Sequence, residues 1–265
     1  MNPPETTYLS SQKTDHYDKK YLKPIMSQIE LIAKARALRT DRKQEAAFEL
    51  LSANLDSARY QNLLFENHPI WWSEIKAGIC QLTRRSSKDI DFVRKIWEQK
   101  DFIYSFHRHA NSLPNDNEKL AQLLDKEYLA LVSESHAVHW IVKDRTGKPW
   151  GLLSITGISL THKRAEVLLG VADGAPRGLS TAAMLMLFQF YFKVINFNKL
   201  LSFVYEDNPH SLKGTLHIGF KEEGRFKKHV IDPRSNQYVN LIQTGLLAED
   251  AFSENNKRLM QRLLS

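Results

Sequence analysis

Only one cysteine, Cys80, occurs among the 265 residues of the chain. A single thiol excludes an intrachain disulfide and removes cysteine-based metal sets from consideration. Long apolar runs are missing too, since none approaches the ~18–20 residues that cross a bilayer. The first residues, Met1-Asn2-Pro3-Pro4-Glu5, have neither the basic nor the apolar part of a secretory signal. A reducing cytoplasm is therefore the expected location. Metal-ligand spacing is equally scarce. His107 and His109 diverge if helical, and His136 and His139 point to opposite faces of a strand. No cysteine or carboxylate completes either pair, so no metal site is expected.

What is present suits a globular protein with a substantial core: 42% hydrophobic and 25% charged residues. The net charge of +7 is unevenly spread. Residues 1–76 hold eleven Lys/Arg against ten Asp/Glu, and the remainder twenty-six against twenty. A basic C-terminal part fits a polyanionic cofactor or an anionic partner. No nucleic-acid reader motif accompanies the charge, so nucleic acid is not an expected partner.

Residues 1–22 are polar and read as a flexible arm. Over 23–76 the period is helical. Ile29, Ile32, Ala33, Ala35 and Leu38 form one stripe; Ala46, Ala47, Leu50, Leu51 and Leu55 form another, with a turn at Thr40-Asp41-Arg42-Lys43. This predicts a helical hairpin like one tetratricopeptide unit. There is no second copy, so the hairpin must dock on something, such as a partner protein. His68-Pro69-Ile70-Trp71-Trp72 interrupts the period, and a second domain is expected over 77–265. There strands and helices alternate: a strand at 78–82, helices from Ile90 and over 117–131, strands at 137–143, 150–158 and 164–171, and a helix from Gly178 to Ile195 that is apolar nearly all round. A strand at 200–205, a helix at 209–217 and strands at 220–230 and 238–243 complete the order. Meanders joined by one helical crossover make an α+β fold with a mixed sheet. The tryptophans, Trp71, Trp72, Trp97, Trp140 and Trp150, read as packing between elements.

Gly174-Ala175-Pro176-Arg177-Gly178-Leu179-Ser180-Thr181-Ala182-Ala183 joins a strand to that apolar helix. Free N–H groups at a helix start favour an anion such as a pyrophosphate, small residues let it approach, and Arg177 adds charge. An ordinary capped helix start reads the same way. Farther on, Leu201 to Tyr205 precedes Asn208-Pro209-His210-Ser211, and the segment closes with Gly219-Phe220-Lys221-Glu222-Glu223-Gly224.

Strand, Asn-x-x-Ser, short helix and Gly-Phe-x-x-Glu-Gly together resemble the C-terminal half of the GNAT superfamily. The likeness is nearest to the ribosomal-protein N-terminal and amino-sugar acetyltransferases, and Leu169-Gly170-Val171 matches their strand ahead of the pyrophosphate loop. The resemblance implies a mainly antiparallel sheet flanked by helices over 77–250, with a helical extension before it. The family's Gln/Arg-x-x-Gly-x-Gly/Ala loop falls on Arg177, Ser180 and Ala182, so that its central glycine becomes a serine. The amides of Arg177, Gly178, Leu179, Ser180 and Thr181 are then expected to hold the pyrophosphate of acetyl-CoA or another acyl-CoA. Strands 164–171 and 200–205 are expected to splay around the pantetheine arm, with Leu169 and Val171 on one side. Asn208 stands where the family's asparagine bonds that arm.

Transfer of an acyl group to an amine needs a base, an oxyanion partner and a proton for the leaving thiolate. Glu166, on the strand beside the expected acyl site, is the candidate base. An outward-facing glutamate paired to Arg164 is the structural alternative. Tyr205 and His210 flank the same cleft. Where many relatives place a proton-donating tyrosine, this chain has Thr215, so Ser211, Thr215, His217 or water must serve. The expected activity is acylation of a primary amine on a protein, peptide or amino sugar. Two alternatives accompany it: a catalytically inactive scaffold with a binding role, and an acyl-carrier-protein donor, that protein or another docking on the N-terminal helices. Lys227, Lys228 and Arg234 suit an anionic substrate, and a solvated edge strand favours lysine equally.

Overall fold

The computed structural model describes residues 19–265, with side chains from residue 28 onward. The arm expected at 1–22 lies outside the described residues except for its last four, which open a helix. Two compact units divide at Tyr60/Gln61.

The first unit is a helical hairpin, α1 (Lys19–Thr40) and α2 (Gln44–Asn54). Arg42 stops α1 in a left-handed conformation, φ 59°. Its N–H donates to the Arg39 carbonyl and the Lys43 N–H to that of Leu38. This paired closure satisfies the last carbonyls of the helix, and it places the reversal at the expected turn. The buried stripe differs from the one expected. Ala35 is buried with Ala47 and Leu51, whereas Ile29 and Ile32 are exposed. The inward side of α1 follows Leu31, Ala35 and Leu38.

The second unit starts earlier than residue 77 and contains α3 (Gln61–Asn67). The Trp71 ring explains this: it is fully buried, and its centroid lies 5.7 Å from that of Phe190 in the main core. Arg84 holds that segment by donating to the Trp71 carbonyl at 3.0 Å. Next come β1 (Ile75–Ala77), β2 (Cys80–Arg84), α4 (Ile90–Glu98), α5 (Lys100–Phe106), α6 (Asn117–Leu129) and α7 (Val132–Ser135). The meander is β3 (Val138–Asp144), β4 (Pro149–Ser159) and β5 (Arg164–Val171). The crossover helix α8 (Leu179–Phe188) runs on as a π-helix through Val194. It leads to β6 (Lys199–Tyr205), α9 (Pro209–His217), β7 (Lys221–Ile231), β8 (Tyr238–Leu247) and α10 (Glu254–Leu263). The strand expected at 78–82 is β2, shifted to Cys80–Arg84; the first two residues of the expected span, with Gly78 at φ 52°, instead form the turn that closes a β1–β2 hairpin. β1, α5, α7 and α10 were not expected.

The strands form one eight-stranded sheet, ordered β1-β2-β3-β4-β5-β6-β8-β7, and only β5 and β6 run parallel. The class is the α+β arrangement expected, a mainly antiparallel mixed sheet flanked by helices. α8 has eight of its ten residues buried, as an all-round apolar helix must. It packs on one face of the sheet with Leu153, Ile155, Val167 and Leu200. On the other face α4 and α6 enclose Ile141 and Leu152 with Val93, Ile96, Leu120 and Leu124. Among the described residues no helix is long and apolar enough to cross a membrane.

Candidate active site

Parallel pairing between β5 and β6 lasts three residues: Arg164 with Lys199, Ala165 with Leu200, and Glu166 with Leu201. Beyond it the strands separate. Their unpaired edges, 167–171 and 202–205, bound a cavity of about 790 Å³. Such a gap leaves backbone donors and acceptors of both edges free for an extended ligand.

One end of the cavity meets the start of α8. Gly178, at φ 86°, is the residue before the helix, and no side chain caps it. The Leu179 N–H turns back to the Pro176 carbonyl, and the amides of Ser180 and Thr181 begin the first turn. Ser180, Thr181 and Met184 line the cavity. Leu179 and Ala182 are buried in the core, so only their backbone can serve a ligand. Arg177 is exposed and stands outside the cavity wall. Gly174 and Gly178 are both left-handed, at φ 82° and 86°; Gly178, which makes the reversal into α8, lies two residues before the register expected from Ser180.

The opposite wall comes from the start of α9. Asn208 caps this helix, its Oδ1 accepting from the Ser211 N–H at 3.1 Å, and Pro209 occupies the first helical position. The cap commits the oxygen of Asn208 and leaves its amide nitrogen for a ligand. Asn208, His210, Ser211 and Thr215 line the cavity, as do Leu169 and Val171 on β5.

Glu166 occupies the last paired position, at the base of the gap and not on the cavity wall. It carries no ion pair to Arg164 among the described residues. Burial raises its carboxyl above the ordinary value. Side chains alternate along β5: Ala165 and Val167 enter the α8 core, while Gly170 abuts α5, so Glu166 shares the α5 face.

That α5 face is the part the sequence did not reveal. Gln99, Asp101, Phe102, Ser105 and Phe106 form its cavity wall. Arg108, just beyond α5, clasps the wall to the end of β6. Its guanidinium lies between the rings of Tyr104 and Tyr205, 4.2 and 4.1 Å from their centroids. It donates to both Asp207 oxygens, at 2.9 and 2.5 Å, and to Asp232 at 3.2 Å. The Tyr104 hydroxyl also donates to Asp232, and Arg234 pairs with Asp101. Burial raises the Tyr205 phenol. The aspartates lie 99 and 124 residues from Arg108, so no local pattern could announce the clasp.

Among the described residues no group of His, Cys, Asp and Glu could hold a metal ion. The arrangement offers an anion site at a helix start, an open channel between two strand edges, and a carboxylate of raised affinity for protons at its base.

The family described as "Acetyltransferase (GNAT) domain" matches residues 81–221. A search of curated proteins returned no match. Solved structures of similar fold include the spermidine N-acetyltransferase of Vibrio cholerae in complex with CoA and spermine. It shares 18% identity over 66% of this chain and 98% of its own, with a TM-score of 0.56. A single-residue mutant of that enzyme gives 16% identity over 66% and 96% of the two chains, and 0.55. At such identities the likeness is one of fold.

Proposed function

This chain belongs to the GNAT acetyltransferase family, and we propose that it is an acyl-CoA-dependent N-acyltransferase whose acceptor is a primary amine of a peptide or protein. The observation that carries the reading is the short β5–β6 pairing, which opens a channel leading to an uncapped helix start. The amides of Gly178, Ser180 and Thr181 suit the pyrophosphate of the donor. The pantetheine arm lies between the edges 167–171 and 202–205, with the Asn208 amide nitrogen and the backbone of Leu169 and Val171 beside it.

Glu166, at the base of the gap, takes the proton of the attacking amine through one water. A backbone N–H of the free β5 edge stabilises the oxyanion as the amine nitrogen bonds to the thioester carbon. The C–S bond then breaks, and Ser211, Thr215 or a water between them gives the thiolate its proton. The neighbour was solved with spermine. Here the α5-side carboxylates Asp101 and Asp207 already pair with Arg234 and Arg108. That leaves a weak field for a polycation, and it favours an acceptor that presents a single amine on a larger body.

Calorimetric titration with acetyl-CoA tests the donor site: micromolar binding is expected, and no binding would overturn the reading. In Ser180→Glu the new carboxylate faces the pyrophosphate, while it suits the positive end of α8 and leaves folding intact. Affinity should fall more than tenfold. For the acceptor, a lysine-bearing peptide should be acetylated faster than spermine or glucosamine; the reverse order would reject a peptide acceptor.

A further inference from the structure

The α5 side of the cleft is aromatic where an acetyl group needs no such wall. Phe102 and Phe106 stack on each other with centroids 5.7 Å apart and planes 16° from parallel. Both line the cavity. They lie directly on β5 because residue 170 is glycine: an added Cβ there would sit 2.9 Å from the Phe106 ring and 3.0 Å from that of Phe102. Leu168 of β5 and Phe203 of β6 line the same cavity. By alternation, Leu168 shares the face of Gly170, and Phe203 shares the face of Tyr205, which stacks on Arg108 beyond α5. These side chains therefore converge on the α5 mouth of the gap. Behind the two phenylalanines lies the closed core of α4 and α6. The aromatic patch is apolar, while Gln99, Asp101 and Ser105 of the same wall are polar and bound it.

We infer that the Phe102–Phe106 wall, with Leu168 and Phe203, is an acyl pocket for a short aliphatic chain longer than acetyl, of butanoyl size. The inference rests on the donor reading above and narrows it. The chain's methylenes leave water for the aromatic faces, and each one buried strengthens binding by about fourfold. The closed core behind the wall stops a fatty acyl chain from gaining in proportion.

The test is calorimetric titration of the full chain with CoA, acetyl-CoA, butanoyl-CoA and palmitoyl-CoA, and it needs no acceptor. Butanoyl-CoA should bind roughly tenfold tighter than acetyl-CoA, and palmitoyl-CoA should gain little beyond butanoyl-CoA. In Phe102→Ser the ratio of butanoyl to acetyl affinity should fall to near one. Equal binding of acetyl- and butanoyl-CoA by the unaltered chain would overturn the pocket while leaving the donor reading intact. A ratio undiminished in Phe102→Ser would overturn the placement at α5. Failure of CoA and every acyl-CoA to bind would overturn the donor reading itself, and the pocket with it.

Discussion

Glu166 and His139 show how the same burial produces opposite protonation. Losing water disfavours the charged form of either group, so the carboxyl of Glu166 is raised and the imidazole of His139 is pushed down to about 3. For Glu166 the consequence is kinetic. A base must be deprotonated, so the acid limb of the kcat/KM profile should lie above the ordinary glutamate range. Glu166→Gln should abolish that limb and slow turnover about a hundredfold, with donor affinity unchanged. Equal rates would place the base elsewhere.

For His139 the consequence is stability. Its Nδ1 pairs with the Ser154 hydroxyl at 2.8 Å, and besides burial the charges of Arg85 and Arg84 oppose its protonation. Above pH 6.5, its unperturbed value, the ring is neutral folded or unfolded, and the stability is fully present. As pH falls below 6.5, the unfolded chain binds a proton that the folded chain refuses until about 3, so stability is progressively lost. Urea midpoints should drop between pH 7.5 and 5, and His139→Gln should flatten that slope.

Among the elements, α5 depends most on its neighbours. Seven residues hold too few turns to be stable alone, and they give too short a window for helical periodicity. What secures α5 is Arg108, whose side chain is 2% exposed while that of Asp232 is 5% exposed. Arg108→Met keeps the volume but removes the cation from Asp232, which retains the Tyr104 hydroxyl and the backbone N–H groups of Arg234 and Ser235, so the change costs about 2 kcal/mol. Hydrogen exchange should then accelerate across 99–106 more than across α8. Uniform acceleration would show that Arg108 holds the whole unit instead. By contrast, α8 and α9 were legible, one from unbroken apolarity and the other from the Asn208–Pro209 start. The π-helical end of α8 left no such trace.

For the whole molecule, every residue lining the cavity comes from the second unit. A fragment 61–265 should therefore fold and bind acetyl-CoA within about threefold of the full chain (under 0.7 kcal/mol). A fragment cut at 77 should not fold, because it loses Trp71 from the core. A stable 77–265 fragment would contradict that account of Trp71.

The order of the strands from β2 to β8, the buried crossover helix, the small-residue loop before it and the capping asparagine after β6 were determined by the sequence itself. Each rests on residues within a few positions of one another, where periodicity, capping and turn chemistry act. Only the tertiary structure decided where β5 and β6 part, that Arg108 ties α5 to β6, and that the second unit begins at Gln61. Those features join groups tens to more than a hundred residues apart, and their energies exist only once the chain has closed on itself.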